Sequence, residues 1–503
     1  MNIFDSLERA KTYTPQKEAL LFNGTSTCYL DLYQQVSQLS SALKARFKLE
    51  KGDRVGIFLP NIPEFVVSYF AVVQLGGIAV SLNVMLKRDE VAFILKDSGA
   101  KVLITAMPLL DQVPETIPTL QGVVCVGEPS RPGVIPYQDL LSESLSPLPK
   151  VSLEGDDGAA ILYTSGTTGK PKGVLLSHRN LVSNVYATNH HTRMEPEDRL
   201  ICFVPLFHCF GQNFVMNASV NAGATLILHE RFNPDEILGS TKLNRASMFF
   251  AVPTVYLRLL ELPDIEEQLA SVRYYFTAAA PMPVEVADSW QQRFGQIIFE
   301  GYGLTETSPF ASYNHDFSYR AGSIGIPIEN VEMKIVDERG NDVLPGEVGE
   351  IAIKGPNVMT GYFHQPEETA KAIREGWFHS GDIGRMDEQG YFYLVDRAKD
   401  MINVSGFKVW PREVEEVLQE YPTVMEAAVV GVPDRTAGEA VKAFVVLKAN
   451  TTVQEQQLID FCRDRIAVYK APRTVEFVAA LPKNPAGKIL KRQLRETDTQ
   501  KNS

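Results

Sequence analysis

The sequence predicts an α/β fold: a large N-terminal domain of layered α/β subdomains ending in a small β unit, then a small α+β C-terminal domain. Three observations predict it. Helical and strand-like apolar runs alternate with short turns from 54 to 106, the pattern of a mostly parallel sheet covered by helices. A second set from 178 to 300 repeats that alternation without a residue-level repeat. From about 330 the texture changes to short strands and glycine turns, and beyond Asp396 to an α+β pattern. With 503 residues the chain is too long for one core, and its length suggests roughly three folding units.

In the first set, "RVGIFLP" (54–60) reads as a strand and 63–75 as a helix with Pro63 in its first turn. The run Phe65 to Leu86 has no charge and is long enough to span a bilayer, but Gln74, Gly76, Gly77 and Asn83 interrupt it. It therefore reads as a buried helix ending at the glycine pair, then the strand "IAVSL", with no integral membrane segment. "RDEVAFILKDSG" is a helix closed by glycine, and "KVLITA" is a strand. In the second set, "HRNLVSNVYATNHH" and "NPDEILGSTKLN" are helical, while "RLICFVP", "ATLILHE" and "SMFFAVP" are strands. "VEMKIVDERGNDVLPGEVGEIAIKG" is the small β unit. "PREVEEVLQEY" is a helix with Val414, Val417 and Leu418 on one face; "VMEAAVVGVPD" and "AVKAFVVLK" are strands, and "VQEQQLIDFCRDRI" is a helix. The polar tail "ETDTQKNS" is expected to fray.

A formal net charge of -12 with 45% apolar and 22% charged residues argues against a nucleic-acid binder, which would show a basic face. Five widely spaced cysteines form neither a disulfide framework nor a zinc pattern, which points to a reducing, cytoplasmic compartment. Charges within the first ten residues rule out a signal peptide.

The densest chemistry lies in "YTSGTTGKPKGV" (163–174), after the apolar strand "AAILY". Gly166, Gly169 and Gly173 let several N–H groups turn toward one point, an anion-binding nest. Thr164, Ser165, Thr167 and Thr168 add hydroxyl donors, and Lys170 and Lys172 add charge. The spacing is not that of the kinase and GTPase nucleotide loop, and such clusters also occur in exposed turns.

Five further motifs follow in order: "PLFHCFG" (205–211), "GYGLTET" (301–307), "HSGDIG" (379–384), "DRAKDMINVSGFKVWPREVEE" (396–416) and "PAGKILKR" (485–492). With the first loop, they make the chain resemble, over nearly its whole length, the adenylate-forming superfamily of acyl-CoA synthetases, firefly luciferase and peptide-synthetase adenylation domains. The likeness is greatest to fatty acyl-CoA synthetases. The resemblance implies a ligase that joins a carboxylate to AMP, releases pyrophosphate and passes the acyl group to a thiol. ATP, Mg²⁺ and CoA, or the phosphopantetheine of an acyl carrier protein, are the implied cofactors and co-substrates.

It also implies roles. The loop 164–172 would hold ATP phosphates, Tyr302 would lie against adenine, and Ala279, Ala280 and Pro281 fall in the adenine loop. Thr305 would bond the α-phosphate and Glu306 would hold Mg²⁺, which suits a lone carboxylate beside phosphates. Asp382 would accept both ribose hydroxyls, with Arg397 assisting. Lys488 would contact the carboxylate and α-phosphate oxygens during adenylation. Lys399 falls at the hinge of a mobile domain, 397–503, that rotates against 1–396 between half-reactions. Gly406 would then let the pantetheine arm pass, and no role transfers to Asn403 or Phe407. His208 fits a gate between acyl pocket and thiol; a core histidine bonded by backbone is the bland alternative.

No Asp, Glu, Lys or Arg lies between Ile201 and His229, so an amino acid would lack a counter-ion for its ammonium group. Nothing cationic occupies 301–311, where a dicarboxylate-using relative would want arginine at Gly301. A neutral, apolar acid is left, medium- to long-chain or aryl. Small residues (Gly301, Gly303, Ala278, Ala279, Ala280) would leave depth, and Phe203, Phe210, Phe214, Phe249 and Phe250 would cap it. "TAAAPM" (277–282) departs from the family, where many relatives have glycine at the first or second alanine. A homodimer is left open.

Overall fold

The computed structural model describes residues 2–143, 145–164, 171–314, 316, 319–397, 400–404, 407–434, 438–484 and 487–501. Among them the strands form four sheets. The first is eight-stranded, in the order Gly361–Tyr362, Lys172–Ser177, Gly158–Thr164, Ile78–Ser81, Arg54–Phe58, Val102–Ala106, Gly122–Val126 and Ile135–Pro136. Its centre is parallel, as the alternation of 54–106 predicts; the strands Gly158–Thr164 and Lys172–Ser177 pair antiparallel, with Thr164 opposite Lys172.

The second sheet runs Ile326–Pro327, Phe310–Tyr313, Ile298–Gly303, Tyr274–Thr277, Met248–Ala251, Arg199–Cys202, Thr225–Leu228, Glu18–Phe22 and Thr25–Cys28. It is parallel from Glu18–Phe22 to Ile298–Gly303 and then turns antiparallel. A third, antiparallel sheet carries Glu332–Val336, Val348–Lys354, Trp377–Met386 and Phe392–Arg397. These sheets with their helices are the large α/β domain. The fourth sheet joins Phe407–Val409, Ile402–Val404, Gly438–Leu447 and Val424–Asp434, with Thr474–Phe477 pairing Gly438–Leu447. It builds the smaller α+β domain around Val414, Leu418, Val429, Val445 and Leu458.

The uncharged stretch after Pro63 is the helix Pro63–Gln74, buried from Phe65 to Val73, with Gly76 at φ +80° turning the chain into Ile78–Ser81. No helix of the described residues is long and apolar enough to cross a membrane. The helix Arg88–Ser98 ends on Gly99 in the left-handed region, as its sequence predicts. Residues 496–501 of the polar tail continue the helix Lys491–Lys501. Leu494 is buried against Ala428, Val430 and Phe444, and Arg492 pairs with Glu496 one turn on.

Candidate active site

Strand Ile298–Gly303 runs directly into the short 3₁₀ turn Thr305–Thr307. This brings together residues far apart in the chain. Tyr302 is buried, and its hydroxyl donates to Oδ2 of Asp382 at 2.8 Å across 80 residues. Asp382 is buried on Trp377–Met386; its N–H donates to the Ser380 hydroxyl, and Glu350 fixes the approach by accepting from Gly381 N–H at 2.9 Å. Glu306, also buried, accepts from the Tyr362 hydroxyl at 3.0 Å, and its backbone carbonyl accepts from Met359 N–H. Burial and the Glu306 charge push the Tyr362 phenol well above its ordinary value.

The turn 307–310 is held by amides that the motifs did not reveal. Asn184 and Asn357 donate to the Phe310 carbonyl at 2.8 and 2.7 Å, and Asn213 donates to the Ser308 carbonyl at 2.5 Å. All three are buried. Gly303 crosses this turn so closely that a Cβ would overlap the Pro309 carbonyl oxygen. The same logic fixes Gly211 in "PLFHCFG", where a Cβ would overlap the Pro205 carbonyl oxygen. Asn61, just after strand Arg54–Phe58 of the first sheet, clamps that segment, accepting from Leu206 N–H at 2.8 Å and donating to the Val204 carbonyl at 2.9 Å.

The loop that carries Lys488 packs on the large domain. Lys488 is partly buried, and its backbone is fixed by Asn484, which accepts from Lys488 N–H at 2.8 Å. At the neighbouring Gly487 a Cβ would stand 2.7 Å from Cγ2 of Val252 in the large domain. The Lys488 charge acts on His208: burial first, then that charge, push its imidazole down to about 4. His208 is thus neutral at pH 7, with Nδ1 accepting from Phe210 N–H at 3.2 Å.

Of the other expected site residues, Lys172 forms an ion pair with Glu368 and lies 5.0 Å from the centre of the Tyr362 ring. Lys172 and Lys371 together hold the Glu368 carboxyl well below its usual range. Thr164 ends its strand half-buried, and Thr305 opens its 3₁₀ turn. Arg397 stands opposite Asp382 in the strand register. Ala279 adopts φ +70°, beside Ala280 and Pro281. That left-handed backbone favours glycine, which gives a physical reason for the glycine of many relatives here. Ser165, Gly166, Thr167, Thr168, Gly169, Lys170, Lys399 and Gly406 lie outside the described residues.

Two regions match family models: residues 7–363 the AMP-binding enzyme and 413–488 the AMP-binding enzyme C-terminal domain. The chain belongs to the AMP-binding enzymes, the AMP-forming acid–thiol ligases. It is 36% identical to a long-chain-fatty-acid–CoA ligase of Bacillus subtilis, covering 97% of this chain and 92% of that one. It is equally 36% identical to a feruloyl-CoA synthase of Amycolatopsis, over 97% of each chain. Among solved structures, ATP-bound MatB from Rhodopseudomonas palustris superposes with a TM-score of 0.91 at 32% identity, over 99% of each chain.

In this ligase the small residues near the reaction centre do not leave the expected depth. A Cβ on Gly301 would stand 2.5 Å from the Phe310 ring and 2.6 Å from the Phe276 ring, and Gly303 faces backbone. Phe214 stacks on Phe276 with ring centres 4.6 Å apart and meets Phe310 edge-on at 4.5 Å; Phe250 and Phe210 complete the cluster. All five rings are buried. Glycine at 301 gives room to rings rather than to solvent, which residue size alone does not reveal. Phe210 and Phe214 lie on a π-helical segment, Phe210–Asn217, a geometry found often at functional sites.

The donor set suits magnesium in one way only. Among the described residues no group of three or more His, Cys, Asp or Glu could hold a metal by itself. The buried Glu306 carboxylate therefore fits an ion that arrives with nucleotide phosphates and keeps most of its other ligands as phosphate and water oxygens.

Proposed function

We propose that this ligase activates a neutral, apolar monocarboxylic acid of medium chain length as its acyl-AMP and transfers the acyl group to CoA. The observation that carries it is the bond to Asp382 from Tyr302, on the strand that leads to buried Glu306, with the Lys488 loop packed on Val252 of the large domain. Tyr302 and Asp382 hold the nucleoside, the phenol against the base and the carboxylate at the ribose. The acid's carboxylate oxygen attacks the α-phosphorus, and the bond to the bridging oxygen breaks as pyrophosphate leaves. Lys488 sets its ammonium against the oxygens that gather charge in that step. Glu306 would hold Mg²⁺, which would supply charge neutralisation between carboxylate and polyphosphate. Neutral His208 then lies between acyl group and incoming thiol, where an uncharged ring admits the thioester. Two units, 1–396 and 397–503, exchange arrangements between the two steps, withdrawing Lys488 for the second.

The ring cluster supports a bounded acid site. Stacked rings would also receive an aryl acid, and the equal likeness to a feruloyl-CoA synthase favours that as the second reading. Acid-dependent ATP–pyrophosphate exchange tests both. Each added methylene is worth about 0.8 kcal/mol when buried, so kcat/KM for straight-chain acids should rise about fourfold per carbon and then fall where the chain meets the rings. Phe310→Val should move that optimum to a longer acid. A cinnamate exceeding every straight-chain acid would favour the aryl reading, and silence across all acids with ATP and Mg²⁺ present would sink the activity proposed.

A further inference from the structure

Between strand Phe392–Arg397 and strand Ile402–Val404 the chain crosses from the third sheet to the C-terminal one. The helix Pro411–Gln419 belongs to the C-terminal core through fully buried Val414 and Leu418. Its first turn nevertheless bonds to the strand of the large domain. Arg412 N–H donates to Oδ2 of Asp396 at 2.7 Å, and Arg412 Nη1 donates to the Leu394 carbonyl at 2.7 Å. Arg412 Nε donates to Glu416 at 2.8 Å, which fixes the guanidinium for that reach.

Asp396 is buried, so its charge depends on such partners. It sits at the N-terminus of the helix, where the dipole favours an anion. Lys491, three residues beyond Lys488, is paired with Glu415 at 2.8 Å, and the charges of Glu415 and Asp396 both hold its ammonium protonated. The Arg412 charge also reaches Glu300, the buried acid two residues before Tyr302. Glu300 in turn accepts from Met282 N–H at 3.2 Å, directly after the adenine loop. The same small patch thus touches the connecting strand and the Lys488 segment, and its charge bears on Glu300 behind the nucleotide site. Rotation of the C-terminal domain about the crossing would break both bonds that Arg412 makes to Leu394 and Asp396.

We infer that Asp396 and Arg412 form a latch that holds the C-terminal domain in the arrangement presenting Lys488, and that this latch opens before the thiol step. The inference rests on the exchange of arrangements proposed above. Both residues act by position, since neither meets a reacting atom.

The test measures the two half-reactions separately in the full-length protein: ATP–pyrophosphate exchange, and thioester formation from supplied acyl-AMP and CoA. Arg412→Met and Asp396→Asn should each lower the ratio of adenylation to thiol-step rate by about 10- to 100-fold, the weight of one charged hydrogen bond. Arg412→Lys should recover part of that ratio. The thiol step also reports whether each variant is folded, because it needs the same nucleotide and CoA sites. An unchanged ratio, or equal loss of both steps, would overturn the latch. Lys488→Ala run alongside separates the two failures: if its ratio is also unchanged, the exchange of arrangements is wrong, and the latch falls with it.

Discussion

Lys488→Ala should abolish acid-dependent ATP–pyrophosphate exchange, by about a thousandfold or more, while thioester formation from supplied acyl-AMP stays within a few-fold of the unaltered protein. Removing one positioned charge from a developing transition state costs about two to three orders of magnitude, and here the lost group is a full cation facing a polyanion. The asymmetry is the informative part. Lys488 stands on a loop of the C-terminal domain and reaches His208 of the large domain only because the two are docked as described. If the domain turns for the thiol step as proposed, the lysine has nothing to contribute there. Equal losses in both half-reactions would mean that one arrangement serves both steps.

Gly303→Ala should be the most disruptive single methyl in the nucleotide site. The new Cβ would overlap the Pro309 carbonyl oxygen and stand 2.7 Å from its carbon and 2.8 Å from the Phe310 Cα. These are backbone atoms, and Asn184, Asn213 and Asn357 pin the turn that carries them. Relief by a side-chain rotation is therefore closed, and we expect a loss of about 3 kcal/mol of stability with loss of exchange activity. Gly239 provides the contrast. It is exposed on the helix Pro234–Leu243, and a Cβ there meets nothing within 4 Å. Gly239→Ala should stabilise by roughly 0.5–1 kcal/mol and leave exchange unchanged. Chemical denaturation of the two variants beside the unaltered protein decides it; a Gly303→Ala protein as stable as Gly239→Ala would show that the turn can yield.

Ordered motifs made the family and the α/β layering legible before any coordinates. The residues that build the site around those motifs were not. Tyr362 and Glu300 are single polar residues with ordinary neighbours in the chain, and Asp396 and Arg412, though inside a recognised motif, carry no local sign that they pair. The three asparagines read as neutral helix or loop positions, yet they converge on one turn. Lys172 was legible as a phosphate-loop cation, but its pairing with Glu368 depends on a helix nearly two hundred residues away. The acid site shows the gap most clearly. Gly301 was read as space, whereas the rings of Phe276 and Phe310 close it, and Phe276, on the buried strand Tyr274–Thr277, carries no local sign of that role.

The sequence by itself determined what depends on neighbours within a few residues. Periodicity set helices against strands, and Pro63 and Gly99 set helix ends. Tertiary structure alone decided which side chains share one small volume: Tyr302 with Asp382, Glu306 with Tyr362, Lys488 with His208, Arg412 with Asp396. The physical reason is range. Backbone sterics and local hydrogen bonds act over a turn, while charge, burial and ring packing act between whatever surfaces the fold presses together.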